Sequence, residues 1–161
     1  MYLVKMQDAE HEQVPICLGG SVRHHGYWYG SDPAIYSCRF STDGKEIVAG
    51  GSQGGLYVYD LEAMTRSLRI EAHDDDINSC CWADTASGNV LVSASDDTTL
   101  KVWDRRSFGT SQKPSGVLIG HTEGITHVGP KGDGRYVISN GKDQVRSNVD
   151  RNYLTSSQVL R

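Results

Sequence analysis

An alternation of apolar and polar positions returns along the chain, each time after a turn. Ile47 to Asp60 reads IVAGGSQGGLYVYD, and Leu91 to Asp104 reads LVSASDDTTLKVWD. The two align without a gap, 44 residues apart (47 to 91). Each passes from a short apolar strand through a Gly/Ser/Asp turn into an alternating strand ending in an aromatic residue and Asp. That period-two pattern belongs to half-buried sheet. Upstream, Ile35-Tyr36-Ser37-Cys38 matches Ile77-Asn78-Ser79-Cys80 at an offset of 42 (35 to 77). The two-residue difference falls in a loop, where a change of length costs little. A third copy starts at His121. There Gly124-Ile125-Thr126 corresponds to Asp76-Ile77-Asn78, and YVISNGKD (Tyr136 to Asp143) to VLVSASDD (Val90 to Asp97).

The middle unit predicts four strands, near 77–82, 90–94, 99–103 and 116–119. Turn residues at Asp84 to Gly88, Asp96-Asp97 and Ser107 to Ser115 separate them. No amphipathic helical stretch of useful length interrupts the series. A repeat of about 40 to 45 residues with four strands is one blade of a β-propeller. The expected fold is all-β, a partial propeller of about three blades that does not close. The expected units are 34–71, 72–119 and an incomplete 120–144. They follow an N-terminal extension, 1–33, with room for one strand at Gly26-Tyr27-Trp28-Tyr29, and precede a divergent tail, 145–161.

The third unit falters after Asp143. Thr99-Leu100-Lys101-Val102-Trp103 maps to Val145-Arg146-Ser147-Asn148-Val149, where both the alternation and the Trp are gone. The series is expected to stop near Gln144, as a truncated, alternatively spliced or frame-shifted product would. Closure takes four to eight blades, so an open array would leave sheet edges bare and offer a route to self-association.

Composition narrows the function. The chain has 161 residues, 37% hydrophobic and 22% charged, with a formal net charge of −4. That balance gives no basic footprint for nucleic acid or an anionic membrane. No apolar run reaches bilayer length, and Met1 to Glu10 lacks the pattern of a signal peptide. The four cysteines, Cys17, Cys38, Cys80 and Cys81, have no metal-ligand spacing, and a reducing compartment, nucleus or cytoplasm, is expected. No phosphate-binding loop or other cofactor motif is present, and no cofactor is expected.

In these positions the chain resembles the WD-repeat family. Its blades carry Gly-His before the first strand, Ser in the second, Asp in the next turn and Trp in the third. The resemblance implies a hydrogen-bonded relay, made in the middle unit by His73, Ser93, Asp97 and Trp103. The third unit has His121, Ser139 and Asp143, and the first only Ala49, Gln53 and Tyr59. Recurrence at fixed repeat positions, without a strand–GxSxG–helix context, argues against reading Ser, His and Asp as a hydrolase triad. His73-Asp74-Asp75-Asp76 lacks the alternating ligands and Gly of a calcium loop, and His24-His25 lacks a third ligand, so no metal site is expected.

One motif goes beyond a generic blade. Trp103-Asp104-Arg105-Arg106 resembles the WDxR box of substrate receptors of cullin-4 RING ubiquitin ligases. The runs YSCRFSTDGKEIVAGGS, LYVYD, KVWDRR and GHTEGIT resemble one lineage of cullin-4-associated factors that includes plant members. That resemblance implies a non-catalytic receptor. Arg106 would contact the ligase's adaptor protein, Trp103 and Asp104 would aim it, and unknown protein substrates would bind the opposite loops, including Asp74, Asp75, Asp76, Thr122 and Glu123. A generic WD scaffold in another assembly, or a non-functional or dominant-negative product, are the competing expectations.

Overall fold

The structure is a computed structural model and describes residues 1–4, 13–19, 22–24, 27–29, 33–108, 112–144 and 146–150. Its strands in chain order are β1 (Tyr2–Val4), β2 (Gln13–Pro15), β3 (Val22–His24), β4 (Tyr27–Tyr29), β5 (Ile35–Phe40), β6 (Glu46–Gly51), β7 (Gly55–Asp60) and β8 (Thr65–Glu71). They continue with β9 (Ile77–Trp82), β10 (Val90–Ser95), β11 (Thr99–Asp104), β12 (Gly116–Ile119), β13 (Ile125–Pro130), β14 (Tyr136–Gly141) and β15 (Arg146–Asp150). Two antiparallel four-stranded blades, β5-β6-β7-β8 and β9-β10-β11-β12, are followed by a three-stranded one, β13-β14-β15. Among the described residues the sheets are not joined into a closed ring.

Alternation along each strand decides which blade its side chains meet. In β10, Leu91 turns toward the first blade, while Val90, Val92 and Ala94 turn toward the third. Val48, Leu56, Val58 and Ile70 of the first blade therefore pack with Ile77, Cys80, Trp82, Leu91 and Trp103. On the far side Val90, Val92, Leu100 and Val102 pack with Ile125, Val128 and Val137. The middle blade is thus apolar on both faces, which explains the unbroken buried run of β10. Strand β9 lies against both β5 and β13, setting the first strands of the blades side by side. Gly50 makes one approach possible, because a Cβ there would sit 2.5 Å from Ile77 Cγ2.

Two regions depart from the sequence expectation. The N-terminal extension is more organised than one strand: β1 pairs with β2 and β3 with β4. Ile16 and Leu18 are buried against Ile47, Ala49, Tyr57 and Tyr59, so this segment covers the first blade's outer face. Beyond the expected stop at Gln144, β15 pairs with β14 from Asn140↔Arg146 to Tyr136↔Asp150. Backbone pairing needs no apolar alternation, so the loss of pattern removes a packing face without removing the strand. Before β15 the backbone repeats that of the middle blade, with Gln144 at φ +62° where the middle blade has Thr98 at +71°.

Candidate functional site

The relay residues come together in the middle blade. His73 precedes β9, Ser93 lies in β10, Asp97 follows β10 and Trp103 lies in β11. Trp103 Nε1–H donates to Ser93 Oγ at 2.9 Å, and Ser93 Oγ is 2.7 Å from His73 Nε2. His73 Nδ1 is 2.7 Å from Asp97 Oδ2. A carboxylate can only accept, so Nδ1 carries the proton, and Ser93 donates to Nε2. Burial pushes the His73 pKa below 6.5 against the opposing pull of Asp97. Burial disfavours the Asp97 charge, yet hydrogen bonds from the Thr99 hydroxyl and amide, with His73, outweigh it and hold the carboxyl below 3.8. Ser93 is fully buried, so no substrate reaches its hydroxyl. The arrangement ties β10, β11, the turn between them and the segment before β9 together, and its buried hydroxyl has no geometry for hydrolysis.

In the third blade, His121 Nε2 is 2.9 Å from Ser139 Oγ, and Nδ1 is 3.0 Å from Asp143 Oδ2. Val149 pairs with Val137 as Trp103 pairs with Leu91, so among the described residues no indole donor joins this pair. The first blade has Ala49 in place of Ser93, fully buried in an apolar cluster.

The acidic loop beside His73 spends part of its charge internally. Asp76 Oδ1 accepts the Gln53 amide at 3.0 Å, Asp75 Oδ1 accepts the Asp76 amide at 2.8 Å, and Asp74 N–H reaches Asp97 Oδ2 at 3.3 Å. Asp74, Asp75, Thr122 and Glu123 are exposed, and Asp76 is half-buried. Among the described residues no group of three His, Cys, Asp or Glu side chains is placed to hold a metal ion. His25 of the His24-His25 pair lies outside the described residues.

At the other end of the blade, Asp104 grips Arg106. Its carboxylate accepts the Arg106 amide at 3.1 Å, Nε at 2.9 Å and Nη2 at 2.6 Å. The Arg106 side chain is still 67% exposed, so the guanidinium is oriented and also open to a partner. Its neighbour Arg105, which sequence reasoning passed over, turns inward. Arg105 makes a bidentate pair with Glu46 of the first blade at 2.6 and 2.8 Å and stacks 5.5 Å from the Trp82 ring centroid. The two ends are opposed. The registers Leu91↔Trp82 and Val90↔Asp104 mark one end, and Ser95↔Ile77 the other, roughly 16 Å away. Arg106 and the Asp74–Asp76 loop therefore face in opposite directions.

Comparison with known proteins fits this geometry. The family model described as "Nucleolar protein 10-like, N-terminal domain" matches residues 4–130, and "WD domain, G-beta repeat" matches 112–157, across the expected break. The LEC14B protein of Lithospermum erythrorhizon is 57% identical over 119 residues, covering 74% of this chain and 24% of the relative. The "DDB1- and CUL4-associated factor 11 homolog" of Caenorhabditis elegans is 44% identical over 113 residues, covering 69% of this chain and 20% of the relative. The chain therefore spans about a quarter of the length of the curated relatives it matches. A chain in the crystal structure of a mitotic checkpoint complex superposes with a TM-score of 0.66 at 24% identity, over 74% of this chain and 35% of that one. At that identity the likeness shows the fold alone.

Proposed function

Because the chain belongs to the WD-repeat β-propeller family, we propose that it is a non-catalytic interaction scaffold serving as a substrate receptor of a cullin-4 RING ubiquitin ligase. The observation that carries this reading is Arg106, two-thirds exposed and fixed by the three hydrogen bonds it donates to Asp104. A preoriented guanidinium presents a rigid fork of donors to carboxylates or carbonyls and loses little side-chain freedom on binding. The nematode relative whose printed name associates it with DDB1 and CUL4 gives the partner to test. Protein substrates would bind at the opposite end, on the exposed side chains of Asp74, Asp75, Thr122 and Glu123 and beside Asp76.

Size-exclusion chromatography with light scattering on the chain and DDB1 tests this. A stoichiometric complex is expected, and Arg106→Ala should abolish it while leaving the free chain's elution unchanged. A complex that survives Arg106→Ala would overturn this docking mode, and no complex at all would point to a WD scaffold of another assembly.

A further inference from the structure

A guanidinium carries five N–H donors. Asp104 accepts the one on Nε at 2.9 Å and one on Nη2 at 2.6 Å, so its carboxylate lies along one edge of the Arg106 fork. No described residue accepts from Nη1. The outer edge, formed by Nη1 and the second Nη2 hydrogen, is left for a partner on a side chain that is 67% exposed. Two neighbouring donors on that edge suit either a carboxylate or a pair of carbonyl oxygens.

Charge decides between them. The Asp104 side chain is 16% exposed, and its carboxylate already offsets the charge of Arg106. Hydrogen bonding to Asp104, the attraction of its charge, and the charge of Asp84 in the β9–β10 turn all favour the guanidinium cation. A carboxylate arriving on the outer edge would share one guanidinium with Asp104 and meet the field of Asp84. Two anions on one cation are costly once water is displaced, whereas carbonyl oxygens leave the Arg106–Asp104 pair neutral. Arg105 brings no spare charge to relieve this, because Glu46 holds it in a bidentate pair at 2.6 and 2.8 Å. The same ends of the other blades carry similar pairs. Lys45 meets Glu62 at 3.0 Å beside the Glu46↔Asp60 register, and Lys131 meets Asp133 at 3.0 Å beside Tyr136↔Asp150.

We propose, resting on the receptor reading above, that the outer edge of Arg106 docks on uncharged acceptors of the adaptor protein, backbone or amide carbonyl oxygens, and not on a carboxylate. Arg106 then supplies direction to the contact, and Asp104 holds both its angle and its charge balance.

Calorimetric titration of the full chain with DDB1, as wild type and as Asp84→Asn, tests it. An Asn carbonyl still accepts the Ala86 amide that Asp84 accepts at 2.8 Å, and an unchanged thermal midpoint checks that the turn is intact. The affinity of Asp84→Asn should stay within about twofold of the wild type, and the wild-type affinity should fall less than about threefold between about 50 and 300 mM NaCl. Binding about fivefold tighter in Asp84→Asn, or a wild-type affinity falling about tenfold over that salt range, would place a carboxylate on Arg106 and overturn the assignment. No complex with the wild-type chain at either salt would overturn the receptor reading itself, and the assignment with it.

Discussion

The first and middle blades share a register and a strand count but are held together differently. The middle blade runs a polar chain through its core, from Trp103 through Ser93 and His73 to Asp97, with every link satisfied. The first blade replaces that chain with apolar contact: Ala49, Tyr57 and Tyr59 lie under Ile16 and Leu18 of the N-terminal segment. Four-stranded geometry therefore does not depend on the relay. The relay fixes the position of the loop carrying His73 and Asp74. Between the two blades, Arg105 and Glu46 form a half-buried clamp at the end opposite that loop.

If the middle blade depends on its polar chain, cutting it there should cost most. Trp103→Ala removes a side chain that is 1% exposed and should lower stability by about 3–5 kcal/mol in urea denaturation. Ser93→Ala leaves His73 Nε2 and Trp103 Nε1 without partners and should cost about 1–3 kcal/mol. Tyr59→Phe, at the position matching Trp103 in the first blade, should stay within about 0.5 kcal/mol, since that blade has no relay to break. Equal losses for Ser93→Ala and Tyr59→Phe would erase the contrast.

A smaller effect follows from protonation. Burial holds His73 below its unfolded value of 6.5, so the unfolded chain takes up the proton first as pH falls. Stability from neutral His73 is complete above about pH 6.5 and declines toward the folded pKa, with the Asp97 contribution lost only below 3.8. The denaturation midpoint should therefore fall between pH 7 and pH 5, and His73→Gln should flatten that slope. Chemical labelling should give the least perturbing readout. Burial pushes the Cys80 and Cys81 thiols up to about 12, so both should resist alkylation in the folded chain while exposed Cys17 and Cys38 react. Modification of all four without denaturant would contradict the packing of the middle blade against its two neighbours.

Much of this was legible in the residues. The 44-residue repeat placed the middle strands almost residue for residue, because apolar alternation and turn chemistry agree there. The relay could be located because its residue types recur at fixed register. Three features lay beyond that logic. Strand β15 is held by backbone pairing, which leaves no side-chain pattern. The N-terminal cover is a tertiary contact made by an aperiodic segment. Arg105 finds its partner Glu46 59 residues away, a pairing no local spacing announces.

The adjacent arginines allow the most direct test of the account. Arg105→Ala and Arg106→Ala should be compared for stability by denaturation and for affinity by titration with DDB1. The account predicts a split: Arg105→Ala loses about 1–3 kcal/mol of stability as the Glu46 pair breaks, whereas Arg106→Ala keeps the stability and loses the binding. Binding retained by Arg106→Ala, in a chain that folds like the wild type, would contradict it.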